Sequence, residues 1–234
     1  MKRFILTIII LLISAAGAFS NDVFFPTRQG AVQLTANLNS NGRIEGFSRM
    51  TVREVRNSGG NMTVVYAIQI LDRNRRPVGN SGEREYSVNI SGGVLVFRLE
   101  NMMDAFFTAR GMNYTMTAGN MLIPSNMAAG SRIEDTWMRM VVNVPVVGRV
   151  TADVAITNIV CVGVESVTVP AGTFNAYKVT QTSTTTTTGW GRSPIVNTGV
   201  SWYVRGIGVV KSVSYDARGR VESSSELHEL RSNE

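Results

Sequence analysis

Val32-Gln33-Leu34-Thr35-Ala36-Asn37-Leu38, followed at once by Asn39-Ser40-Asn41-Gly42, decides how the rest of the chain is read. Apolar residues fall on every second position, the period of a strand with one face buried. The Asn/Gly-rich segment after it can supply the positive φ that a tight hairpin turn requires. Working outward, Ile44 to Val55 reads as a second strand, with Glu45, Arg49 and Arg53 on its solvent side. Asn57-Ser58-Gly59-Gly60-Asn61 is another turn, and Met62-Thr63-Val64-Val65-Tyr66-Ala67-Ile68-Gln69-Ile70-Leu71 a third strand. Hairpin following hairpin is the signature of an antiparallel meander.

The pattern continues toward the C-terminus. A polar loop from Asp72 to Gly82 leads to strands at Glu83–Ile90 and Val94–Leu99, divided by Ser91-Gly92-Gly93. Met102-Met103-Asp104-Ala105-Phe106-Phe107 is the best candidate for a short helix, and Met112 to Gly130 reads as irregular. Trp137–Val147 and Arg149–Val167 are expected as strands, as is Ala176–Thr180, which the Thr184–Thr188 run continues or leaves as an exposed ribbon. Trp190 and Pro194 fall in the connection that follows. Val200–Val204, Val209–Tyr215 and Arg220–Leu230 complete the set, the last two joined by Asp216-Ala217-Arg218-Gly219. The fold class expected is all-β: one curved antiparallel sheet of roughly ten strands, forming an open or partly closed barrel, with one short helix. A single β-rich domain over residues 21–234 is favoured over a split near Gly119 to Gly130.

Residues 1–20 read as a signal peptide. Lys2 and Arg3 precede the apolar run Phe4 to Ile13, and Ala18-Phe19-Ser20 places cleavage before Asn21. The run is about half of the roughly 20 residues a spanning helix needs, so no transmembrane segment is expected after cleavage. The sole cysteine, Cys161, is far from the cleavage point, so this chain lacks the N-terminal cysteine of a lipoprotein and excludes an internal disulfide. An exported, soluble protein of the periplasm or the extracellular space is expected. The formal charge of +6 falls by two when Lys2 and Arg3 leave, and the remaining arginines are dispersed apart from Arg73, Arg75 and Arg76. Nucleic-acid binding would require a basic face with stacking aromatics, so no nucleic-acid partner is expected.

The C-terminal half carries a family resemblance. Glu165-Ser166-Val167-Thr168-Val169-Pro170-Ala171-Gly172-Thr173-Phe174-Asn175-Ala176-Tyr177-Lys178-Val179 is followed by Trp202-Tyr203-Val204-Arg205-Gly206-Ile207-Gly208-Val209-Val210-Lys211 and Tyr215-Asp216-Ala217-Arg218-Gly219-Arg220. With Pro124 to Asp135 these segments resemble an exported bacterial family of unknown function, the TapB-like domain. The resemblance implies an envelope protein whose sheet is like the open half-barrels of lipoprotein carriers, and it brings no catalytic residues. The residues also have a structural account: Pro170 and Gly172 build a turn, and Gly206 and Gly208 permit a sharp strand bend.

The chemistry of the side chains points away from catalysis. Histidine-dependent triads and most zinc sites have only His228 to draw on, with Cys161 distant from it and embedded in an apolar, β-branched run. Neither an enzyme nor a metal or cofactor is expected. Methionine is the unusual feature: eight of the eleven lie between Met102 and Met140. Such side chains are flexible and polarizable, suited to varied apolar partners as well as to filling an irregular core. Met102, Met103, Phe106, Phe107, Met112, Met116, Trp137 and Met138 form the candidate lining of a cleft for a lipid or other apolar small molecule. The alternative is a structural or assembly role, in which strand edges or the threonine ribbon contact an envelope protein partner.

Overall fold

A computed structural model describes residues 23–79, 82–144, 146, 148–188 and 194–231. The expected signal peptide, residues 1–20, and Trp190 in its connection lie outside the described residues. The chain forms β1 (Val32–Asn39), β2 (Ile44–Ser58), β3 (Asn61–Asp72), β4 (Arg84–Ser91), β5 (Val94–Arg98) and α1 (Leu99–Ala109). It continues through β6 (Tyr114–Ala118), β7 (Asn120–Pro124), β8 (Thr136–Val144), β9 (Gly148–Val169) and β10 (Gly172–Thr188). β11 (Ile195–Val204), β12 (Gly208–Tyr215) and β13 (Val221–Arg231) complete it. Among the described residues thirteen strands belong to one antiparallel sheet, ordered β6-β8-β9-β10-β11-β12-β13-β1-β2-β3-β4-β5-β7, which curls into a nearly closed barrel. The threonine run continues β10 along β9, as its preference for pleated structure suggests.

Three of the turns share one device. Oδ1 of Asn39, Asp72 and Asp216 each accepts backbone N–H groups from residues two and four positions on, at 2.8–3.1 Å. The residue three positions on then takes positive φ: Gly42 at 72°, Arg75 at 62° and Gly219 at 74°. Short Asx side chains thereby replace the hydrogen bonds a wider loop would leave to water.

Closure falls where the sequence reads as irregular. Tyr114 to Pro124 is two strands in line, divided by Gly119; β6 pairs only with β8 and β7 only with β5. The two ends of the sheet order are thus one kinked strand. At the kink, the N–H of Gly119 donates to Trp137 O at 2.8 Å, and a Cβ there would come within 2.8 Å of Thr136 Oγ1. The missing side chain lets the strand change partners. Propensity pointed the other way because isolated glycine weakens a strand reading, and pairing across the seam overrides it.

Buried residues of β2–β5, β7 and β9–β11 meet in one cluster, which places them on the concave side. Across it runs the segment Val23–Pro26. Phe24 packs edge-on against Tyr177 and Tyr203 at 5.0 and 6.1 Å, and Phe25 against Tyr66 at 5.2 Å on the opposite wall. The strap is fastened by Gly206 N–H to Val23 O at 2.7 Å, and the Arg205 guanidinium lies 5.1 Å from the Phe24 ring centre. Cys161 is part of this core and fully buried. A second cluster forms where the β9–β10 tip reaches across to β13, Ala171 N–H donating to Leu227 O at 3.2 Å. A third, around Phe47 and Leu71, lies under the β3–β4 loop, where the His228 ring meets Phe47 edge-on.

Phe24→Ala should cost about 3–5 kcal/mol in urea unfolding, the range for emptying a buried phenylalanine site. A loss under about 1 kcal/mol would show that the strap is peripheral. Gly119→Val should cost about 1–3 kcal/mol by forcing its Cβ into Thr136. Its amide exchange should quicken first in β6 and β7; uniform exchange would contradict their place as the seam.

Candidate functional site

Strand direction separates the two ends of the barrel. The strap enters near the β11–β12 turn, whereas α1 and the β3–β4, β8–β9 and β10–β11 connections share the other end, the mouth. Leu99, Ala105, Phe107 and Ala109 are buried residues of α1. Glu100 in its first turn suits the positive end of the helix dipole. Gly111, with φ of 64°, follows its last turn and lets the chain reverse into β6.

Register defines what lines the mouth. Tyr114, Met116 and Ala118 of β6 stand opposite Val142, Met140 and Met138 of β8. These in turn stand opposite Val150, Ala152 and Val154 of β9. Side chains directly opposite one another share a face, and Ile156, two residues on in β9, packs into the concave core. The row is therefore an apolar inner wall. Met116, Met140, Ala152 and Val154 are only half-buried although they face inward. Beyond β9 the same face continues with Ser183 and Thr185 of β10, so hydroxyls border the apolar arc.

The methionine-rich prediction is thus sorted by the structure. Met116 and Met138 lie on the wall together with Met140, and Phe107 approaches it through the ring of Tyr114 at 5.0 Å. Met103 is half-buried on α1, and Met112 is exposed just after it. Trp137 is not brought in: it neighbours Met138 in β8, so its side chain takes the opposite, outer face, where it is 52% exposed. The side chains of Met102 and Phe106 lie outside the described residues. Met140, Val142 and Val150 were missed as lining residues; their alternation in two paired strands was the available signal.

Helix α1 is bolted to this wall by Asp104. Its Oδ2 accepts from Tyr86 Oη at 2.6 Å and Arg84 Nε at 3.0 Å, both on β4. Its Oδ1 accepts from Tyr114 Oη of β6 and lies 3.5 Å from Thr108 Oγ1. Glu100 Oε1 accepts from the N–H of Ala118 at 3.3 Å, covering an edge donor of β6. One helix therefore ties β4 to β6 across the seam. Partial burial opposes ionisation of Asp104, but the Tyr114 and Tyr86 hydroxyls and the Arg84 guanidinium outweigh it and hold the carboxyl below its ordinary value. Burial and the facing Asp104 carboxylate push the Tyr86 and Tyr114 hydroxyls upward.

This geometry defines a class: a nearly closed antiparallel barrel, strapped at one end and bridged by a short helix at the other. The chain belongs to the DUF3108-like family, whose model matches residues 28–227. The match includes the first half of the chain as well as the C-terminal segments that carry the sequence resemblance. Two crystal structures share the fold. One is a Bacteroides fragilis protein classed as exported and as having a YmcC-like fold, with TM-score 0.72, 21% identity, and coverage of 89% of this chain and 99% of that one. The other is a Parabacteroides distasonis protein classed as a lipoprotein, with TM-score 0.73, 21% identity, and coverage of 89% and 98%. At that identity the likeness establishes the fold alone. No curated protein matches the sequence. Among the described residues no helix is long and apolar enough to cross a membrane.

The Asp104 contacts predict a defined pH response. Because its folded pKa is depressed, its contribution is fully present above the unfolded value of about 3.9 and is lost as pH falls from there through the folded value. Asp104→Asn should remove that increment, so the gap between wild-type and variant urea midpoints should narrow from about pH 6 to about pH 3. A gap that stays constant would exclude an ionised Asp104 latch.

Proposed function

We propose that this protein is a non-catalytic binding or carrier module of the cell envelope, acting after export and holding a lipid or another apolar molecule against the inner wall of its mouth. The observation that carries the reading is the wall of Met116, Met138, Met140, Val142, Val150, Ala152 and Val154, which is apolar, inward-facing and in part accessible. A core built only for stability closes over such side chains, since each exposed methylene forfeits about 0.8 kcal/mol of burial. Methionine suits a surface that must repack around chains of different shape. The strap restricts this role to one end: Phe24 and Phe25 occupy the far part of the interior, leaving the ligand the mouth beneath α1. The signal-peptide reading of residues 1–20 supports a role after export.

Native mass spectrometry of protein purified gently from its own host, followed by solvent extraction, should reveal a bound lipid mass. Met140→Lys should lower affinity for the neutral probe phenylnaphthylamine about tenfold or more by placing a charge on the wall, without loss of fold by circular dichroism. A monomer that stays empty after challenge with several lipids, or a variant that binds the probe as wild type does, would overturn the proposal.

A further inference from the structure

Beside the apolar wall, the mouth holds a second feature of different chemistry. The β3–β4 loop and the C-terminal turn of α1 leave between them an open groove of about 800 Å³. Its lining includes Gly79, Gly82, Arg84, Thr108, Arg110 and Gly111, so backbone and two guanidinium groups share it with the small apolar side chains of Val78 and Ala109. Gly79 takes φ of 62°, and a Cβ there would come within 2.8 Å of Ala109 O, so glycine is what lets the loop lie this close to the helix. The lining carboxylate, Glu83, is paired with Arg53. Arg84 is 47% exposed, and its contact with Asp104 uses Nε, one of five N–H donors on the guanidinium. Arg73 and Arg76 add further positive charge on the same loop.

Groove and wall are connected through Asp104. Thr108 lies on the groove and approaches Asp104 Oδ1, the oxygen that also accepts from Tyr114. Tyr114 is the first residue of the inner row that runs on to Met116. The hydrogen-bonded series Thr108, Asp104, Tyr114 thus runs from the groove with its two arginines to one end of the apolar wall. We propose that the ligand is an amphiphile with an anionic head group, a carboxylate or a phosphate ester, whose head is held by Arg84 and Arg110 while its acyl chain lies along the methionine wall. This rests on the binding reading above and adds the charge of the ligand to it. Guanidinium groups match both oxyanions through charge-assisted, paired hydrogen bonds, and the glycines leave room for the head to approach the backbone.

The test uses the folded mature chain and four probes: oleate, oleoyl-lysophosphatidylglycerol, oleoyl-lysophosphatidylcholine and monoolein. All four share one acyl chain. The expected result is that one or both net anions bind about tenfold or more tightly than monoolein, as two charge-assisted contacts imply. Oleate against the lysophosphatidylglycerol separates carboxylate from phosphate, and the phosphocholine arm separates a phosphate contact from net charge. The Arg84→Gln/Arg110→Gln double variant should bring anion and monoolein affinities within about twofold of each other, and Arg84→Lys/Arg110→Lys should restore most of the preference. Raised salt should weaken the anions and spare monoolein. If the glutamine variant fails to fold by circular dichroism, the single Arg110→Gln variant and the salt series decide the matter. Monoolein binding as tightly as the anions overturns the head-group assignment and leaves the carrier reading standing. No binding of any of the four defeats the carrier reading itself.

Discussion

Phe24 and Phe25 are adjacent in the chain, yet one ring meets Tyr177 and Tyr203 while the next meets Tyr66 on the facing wall. A curled sheet buries its concave face only if something fills the space between walls too far apart to touch. Here that filler is the four residues Val23–Pro26, held by Gly206 N–H and flanked by Arg205. Buried aromatic rings contribute both apolar area and preferred edge-on geometry, so the strap sets the distance between the walls as well as stabilising them. The curvature of the other strands, and the end of the barrel left accessible, depend on this crosspiece.

The seam is the complementary constraint. A sheet of this size must stop somewhere, and free strand edges invite pairing with other chains. This chain meets the problem by letting one segment change partners at Gly119 and by laying α1 across the join. Glu100 covers an edge donor of β6, while Asp104 gathers hydroxyl and guanidinium donors from β4 and β6. The helix is consequently structural and positional at once: it closes the seam, meets the inner wall at Tyr114 and borders the groove.

Much of this was legible from residue types. The alternation of Val32 to Leu38, the Asx–Gly turns and the long Met62–Leu71 run each announced a strand or hairpin through contacts among near neighbours. The short helix was placed correctly though its first turn was missed, since Leu99 read as the end of a strand. The methionine bias picked out residues of β6 and β8 that share one inner face. It could not separate Trp137 from Met138, because a composition argument ignores which of two adjacent strand residues faces inward.

What the sequence determined by itself was an all-β chain of hairpins with one helix and a methionine-rich middle. Those features arise from period, turn chemistry and propensity over a few residues. Only the tertiary structure decided that Tyr114 to Pro124 joins the two ends of the sheet, that the first described residues cross the interior, and that Arg84 and Asp104 meet at the mouth. Each of these depends on pairing between segments distant in the chain, where a backbone weak in local signal, as at Gly119, is fixed by the partners it finds.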